Sequence, residues 1–212
     1  YVGNDTNKDQ SYFLYRVTAD ALRHTMFPLG EYTKPEVRKM AAERNLVTAT
    51  KKESMGICFV GKVGIKEFLQ QFVSTEQGAI IDQFGRTIGE HDGAIFYTIG
   101  QRHGLNIGGG LPYYVVGKDM EKNQVFVTTQ LDDDRLWRKE LTLTDLHWIN
   151  EEPTTDKTYQ IRARYRAPLV DGTFSESSLQ KLNLKDAIKA VTPGQSAVIY
   201  DGELVVGGGI VI

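Results

Sequence analysis

Cysteine is almost absent from this sequence: Cys58 stands alone among 212 residues. One cysteine excludes an internal disulfide framework and a multi-cysteine zinc site, and it agrees with a reducing cytoplasm. Long apolar runs are missing too. None approaches the roughly 18 residues a membrane-spanning helix needs, and no signal-peptide pattern opens the chain, so no membrane association is expected. Positive charge is not in excess. The net charge is −2, and any contact with nucleic acid must therefore come from a local patch. His91 and His103 have no acidic or cysteine partner at ligand spacing, so no metal site is expected. Gly108-Gly109-Gly110 lacks the Lys-Ser/Thr and the strand–helix frame of a phosphate loop. What is present, 41% hydrophobic and 25% charged residues, belongs to an ordinary folded protein of one large domain or two to three small ones. The chain opens on Tyr1 rather than Met, in sequence that reads as the middle of a domain, and the expectation is a C-terminal fragment of a longer protein.

The lone cysteine lies in Glu53-Ser54-Met55-Gly56-Ile57-Cys58-Phe59-Val60-Gly61. Glycines on both sides let the backbone turn tightly around a short extended segment, and Lys51 and Lys52 put positive charge just upstream. Two readings of Cys58 stay open on spacing alone. It is a small buried hydrophobe between Ile57 and Phe59, the commoner fate of free cysteine, or it is a thiol activated by nearby charge.

Upstream, Asp9 and Ser11 are candidate N-caps for a helix over 12–24, with Leu14, Val17, Ala21 and Leu22 as its apolar face. Thr33-Lys34-Pro35-Glu36 is a capping-box pattern with proline in the first turn, opening a helix that runs to about Arg44. Val37, Met40 and Ala41 form its stripe, and Asn45 is a left-handed stop. Ile65, Phe68, Leu69 and Phe72 sit at helical spacing. From Gly78 on, glycine-bounded apolar runs predict strands at 79–81, 94–99, 113–117 and 124–129, the last two joined as a hairpin through 119–123. A third region predicts strands at 141–148, 158–166, 196–201 and 203–212, with Asp201-Gly202 as a hairpin turn. Short strands with glycine-rich turns suggest a small, closed or nearly closed barrel. Within 158–166, Tyr159, Ile161, Ala163 and Tyr165 alternate with Gln160, Arg162, Arg164 and Arg166. Three arginines on one face, with no carboxylate relieving them, read either as a solvated face or as an RNA-binding stripe.

Several stretches resemble the tRNA-specific 2-thiouridylases, which put sulfur on C2 of the wobble uridine of certain tRNAs. They are Lys8-Asp9-Gln10-Ser11-Tyr12-Phe13-Leu14, Phe27-Pro28-Leu29-Gly30 with Lys34 and Glu36-Val37-Arg38, and the run from Lys51 through Cys58 to Gly61. Tyr97-Thr98-Ile99-Gly100-Gln101-Arg102-His103-Gly104-Leu105, Pro112-Tyr113-Tyr114-Val115-Val116, Arg164-Tyr165-Arg166 and Ala190-Val191-Thr192-Pro193-Gly194-Gln195 complete the set. Met55 departs from the pattern, where a small residue, often threonine, is expected.

The resemblance implies an α+β chain in three parts: the helical remainder of an α/β ATP-pyrophosphatase domain over 1–75, a small β-rich central domain over 76–140, and a C-terminal β-barrel over 141–212. It implies that Cys58 is the catalytic persulfide carrier and that Lys8, Asp9, Gln10, Arg164, Tyr165 and Gln195 contact tRNA, with Arg162 and Arg166 as further candidates. ATP would be bound mainly by an absent N-terminal part carrying a Ser-Gly-Gly-x-Asp-Ser loop and a second catalytic cysteine. A disulfide can form between the two cysteines. The implied partners are tRNA, at its wobble-uridine anticodon, and a cysteine desulfurase or sulfur-carrier protein, in the cytoplasm. The fragment alone is expected to be inactive. The competing reading is a non-catalytic RNA-binding barrel in which Cys58 is packing; a protein-interaction domain without RNA is a third.

Overall fold

The computed structural model describes residues 1–51, 68–73, 75–108 and 110–212. Cys58 and its glycine-flanked stretch, and the first part of the helix expected from Ile65, lie outside the described residues. The chain divides into two compact units. One joins the N-terminal segment to 139–188 and 193–212; the other holds the described residues within 54–138 and 189–192.

In the N-terminal segment the helix expected over 12–24 is broken. Ser11–Leu14 is a single 3-10 turn, and a separate short helix α1 runs Ala19–Arg23. Thr18 is extended, and its hydroxyl accepts the Ala21 N–H at 3.2 Å, so a fresh N-cap divides the run. Tyr12 and Tyr15 are the buried hydrophobic residues here, in place of the expected apolar face. Helix α2 (Lys34–Glu43) forms as its signals specify. The Glu36 carboxylate reaches back to accept both the N–H and the hydroxyl of Thr33, each at 2.7 Å, and Asn45 ends the helix region at φ 53°.

The second unit is built on a four-stranded mixed sheet. Strands β1 (Gly78–Ile81), β2 (Thr87–His91), β3 (Tyr114–Asp119) and β4 (Gln124–Thr128) lie in the order β2-β1-β4-β3, with β1 and β4 parallel. Ile80, Ala94, Leu105, Val115, Val125 and Val127 form its core, each such burial being worth about 1.5–3 kcal/mol for the larger side chains. The expected hairpin joins β3 to β4: Asp119 accepts the Glu121 and Lys122 N–H groups and Asn123 takes φ 50°. Residues 94–99 are not a strand. Ala94–Phe96 is a 3-10 turn, because Gly93 at φ 139° redirects the chain and the Asn123 side chain takes the Ala94 N–H at 2.9 Å.

Strand β5 (Trp137–Trp148) leads into the barrel, completed by β6 (Thr158–Arg162), β7 (Val170–Ser175), β8 (Ser178–Lys189), β9 (Ser196–Asp201) and β10 (Leu204–Val211). It is closed, in the order β10-β5-β8-β7-β6-β9. Asp201-Gly202 makes the β9–β10 hairpin, with Gly202 at φ 59°. Strand β10 approaches its neighbours closely: a Cβ on Gly207 would lie 2.1 Å from the His147 carbonyl oxygen. Strand β6 stops at Arg162, four residues short of the expected end, and the chain turns through Arg164 to Ala167 with Arg166 at φ 64°.

Candidate nucleic-acid interface

Alternation along β6 puts Tyr159 and Ile161 into the core and leaves Gln160 and Arg162 on the other face of the strand. In β9, Ala197 and Ile199 alternate with Ser196, Val198 and Tyr200. The N-terminal segment covers this second set. Tyr12, Tyr15, Val198, Tyr200 and Val205 form one buried cluster, with Val2, Ile149 and Tyr165 packed around it. Two hydroxyls tie the segment to the start of β9: Tyr12 donates to the Ser196 carbonyl at 2.8 Å, and the Tyr15 hydroxyl lies 3.1 Å from Ser196 Oγ. Burial pushes the Tyr12 phenol up to about 12, and burial also raises Tyr200, so both stay neutral across the ordinary pH range.

Asp9 is the polar centre of this contact. One carboxylate oxygen accepts the N–H groups of Gly3 and Ser11, each at 3.0 Å; the other accepts the Ser11 hydroxyl at 2.8 Å and lies 3.8 Å from Arg162 Nη1. Only 6% of the Asp9 side chain and 16% of the Arg162 side chain are exposed. The Arg162 guanidinium also stands over the Tyr200 ring at 5.4 Å, which leaves its buried Nε and the Tyr200 hydroxyl without a hydrogen bond of good geometry. The arginine row therefore differs from its sequence expectation in two ways. A carboxylate does relieve Arg162, and Arg164 and Arg166 sit on a turn, not on a strand.

That turn carries the exposed chemistry. Arg164 and Arg166 face solvent, and the Ala167 N–H closes onto the Arg164 carbonyl at 2.9 Å. The half-buried Tyr165 ring meets Phe13 at 4.6 Å and Tyr12 at 5.9 Å, and the Arg166 guanidinium lies 5.4 Å from its centre. Of the other expected contact residues, Gln10 is exposed. The Lys8 N–H bonds Asp5, which puts Lys8 in the loop before the 3-10 turn. Gln195 follows Gly194, which takes φ 87° in the expected Thr192-Pro193-Gly194 turn. Its carbonyl accepts the Val211 N–H at 2.8 Å, and its Oε1 is buried with no partner. Tyr12, Phe13, Ser196 and Tyr200 were not singled out from the sequence as binding residues. The aromatic run Tyr12-Phe13 with Tyr15 was the available signal, and it reads equally as a helix face.

Among the described residues, no group of three or more His, Cys, Asp and Glu side chains could hold a metal ion, and no helix is long and apolar enough to cross a membrane. The cavity of the second unit lacks the helix N-terminus that cradles a nucleotide phosphate. It is open, about 280 Å³, and bordered by Arg102, His103, Leu111 and Tyr113 in a stretch whose described residues form neither helix nor strand.

Comparison with known proteins accounts for nearly the whole length. Residues 1–62 match the "tRNA methyl transferase HUP domain", 66–129 the "tRNA methyl transferase PRC-barrel domain" and 138–211 the "Aminomethyltransferase beta-barrel domain". The chain is 46% identical over 213 residues to the tRNA-specific 2-thiouridylase MnmA of Neisseria meningitidis serogroup A, covering 99% of this chain and 58% of that protein. The chain belongs to the tRNA-specific 2-thiouridylase family. The enzymes of the same name from Chlamydia abortus and Idiomarina loihiensis are 45% and 43% identical to it, again over 99% of this chain and over 59% and 58% of their own lengths. The chain thus spans under two thirds of these 2-thiouridylases, and its closed barrel coincides, to within a residue, with the segment that matches a β-barrel model.

Proposed function

We propose that this chain is the sulfur-carrying and tRNA-holding part of a tRNA-uridine 2-sulfurtransferase. The observation that supports this most is its similarity along 99% of its length to proteins named tRNA-specific 2-thiouridylase. In this reading 1–75 belongs to the catalytic domain, 76–140 is a β-rich connecting domain and 141–212 is the tRNA-contacting barrel. Cys58 carries a persulfide supplied by a cysteine desulfurase or a sulfur carrier, in the cytoplasm.

A uracil carbonyl is a poor electrophile until its oxygen becomes part of a leaving group, and ATP is the family's means of making one. Since the described residues hold no phosphate loop, ATP would be bound chiefly by residues outside this chain. The step assigned to Cys58 is nucleophilic. Its terminal sulfur bonds to C2 of the activated uridine and the activated oxygen departs. A second thiolate then attacks the Cys58 sulfur, so the S–S bond breaks, sulfur stays on C2 and a protein disulfide forms. Around that chemistry, Gln10, Gln195 and the Arg164–Arg166 turn hold the tRNA by charge and hydrogen bonding, with Lys8 beside them, while the cleft reads the wobble base. Asp9 and Arg162 act from behind, by fixing the segment that carries Lys8 and Gln10.

The test is mass spectrometry of nucleosides from tRNA incubated with ATP, a persulfide donor and a protein of the relatives' full length. The expected result is 2-thiouridine with the native sequence and none with Cys58→Ala or Cys58→Ser. Undiminished thiolation in either variant would refute the assignment. The chain alone is expected to form no 2-thiouridine.

A further inference from the structure

Phe13 is a large aromatic side chain left 58% exposed, yet its surroundings hold it in place. It stands on the Ser11–Leu14 turn, its N–H bonded to the Gln10 carbonyl at 3.0 Å. Its ring packs edge-on against Tyr12 at 5.2 Å, and Tyr12 is anchored through its hydroxyl to Ser196. Tyr165 meets Phe13 from the barrel side at 4.6 Å with 46° between the planes, so the rings make an open angle instead of a closed stack. The turn that presents Tyr165 places Arg166 at φ 64°, a conformation few non-glycine residues adopt. Among the described residues neither Arg164 nor Arg166 has a carboxylate partner, and the Asp9 carboxylate faces Arg162.

We propose that Phe13 and Tyr165 form a stacking platform for an unpaired RNA base, with Arg164 and Arg166 holding the phosphates on either side. This rests on the tRNA reading above and adds to it a residue, Phe13, and a mode of contact. Flat apolar faces beside guanidinium groups without carboxylate partners complement a chain that alternates planar bases with single negative charges. An apolar protein patch would leave both guanidinium groups uncompensated. The platform is sequence-tolerant, since every base has a π-face. It therefore grips an exposed nucleotide without choosing among bases.

Fluorescence anisotropy of a fluorescein-labelled tRNA anticodon stem-loop tests this. Phe13→Ala and Phe13→Leu are each expected to weaken binding by about tenfold at every salt concentration, the size of one lost stacked base, without changing the salt slope. Phe13→Trp is expected to bind as tightly as the native chain and to lose emission when the RNA binds, beyond any change in the native Trp137 and Trp148 signal. Leucine keeps the apolar contact and removes the π-face, so its loss of affinity separates stacking from packing. Native affinity in all three variants would overturn the platform while leaving the tRNA reading intact. So would a change in self-association on Phe13→Ala with affinity unaltered, which would make this face a protein contact. No binding by the native chain at low salt would overturn the tRNA reading and the platform with it.

Discussion

Asp9 and Arg162 are expected to be strongly coupled. Unit charges about 4 Å apart interact by about 4 kcal/mol at an effective dielectric of 20, against about 1 kcal/mol in bulk water. The pair is 3.8 Å apart with only 6% and 16% of the side chains exposed, so the higher figure applies, reduced where water reaches the Arg162 edge. A coupling of about 2–3 kcal/mol follows for the cycle Asp9→Asn, Arg162→Met and the double variant. The single changes should be unequal. Asn keeps the oxygen that serves Gly3 and Ser11 N–H groups but loses the charge facing Arg162, leaving a mostly buried cation uncompensated, for about 3 kcal/mol. Methionine keeps the apolar stem against Tyr200, and Asp9 keeps its three donors, so Arg162→Met should cost less. The assay is urea unfolding followed by the near-ultraviolet circular dichroism of the tyrosines. A coupling below about 0.5 kcal/mol, the size found for exposed pairs, would refute the argument and return Arg162 to the surface available to RNA.

Two further outcomes follow from the second unit and from the barrel. In the second unit the Arg135 guanidinium, bonded to both oxygens of Asp133 at 2.9 and 2.7 Å, holds that carboxyl down at about 2. A depressed carboxyl contributes stability above its unfolded value near 4, lost as pH falls through about 2. Acid unfolding should therefore show a loss on the order of 1–2 kcal/mol in that window, small because Arg135 is half exposed, and Asp133→Asn should abolish it; an unchanged acid profile would refute the assignment. In the barrel, Gly207→Ala should destabilise by roughly 2–4 kcal/mol, because the new Cβ would meet the His147 carbonyl at 2.1 Å and Trp148 at 2.7 Å, and an unshifted thermal midpoint would contradict that.

Much of the fold was legible where local chemistry acts alone. The Thr33–Glu36 cap, the Asn45 stop, the Asp119–Asn123 hairpin and the Asp201-Gly202 turn each specify a backbone conformation within a few residues, and each forms. The failures lie where distant contacts decide. Tyr12 and Tyr15 obey Ser196, over 180 residues away, not the helical period. Gly93 and Asn123 unmake a strand that hydrophobicity alone favours at 94–99. In β7, Asp171-Gly172 has the composition of a turn. Gly172 is within the strand, where a Cβ would come 2.8 Å from the Asn183 carbonyl. At the candidate site, alternation placed Arg162 on the right face, but no sequence period could show that Asp9 would arrive to cover it. The left-handed Arg166 that ends the row is likewise invisible to a strand pattern.

The claim that this chain holds tRNA through the turn after β6 is tested most directly by the salt dependence of its binding to tRNA. Each phosphate neutralised contributes about 0.7–0.9 to the slope of log K against log salt. With Arg162 engaged by Asp9, only Arg164 and Arg166 of the three are available. The Arg164→Ala, Arg166→Ala double variant should therefore flatten the slope by about 1.4–1.8, and Arg162→Met should leave it unchanged. A slope that survives the double variant, or that falls with Arg162→Met alone, would contradict the account.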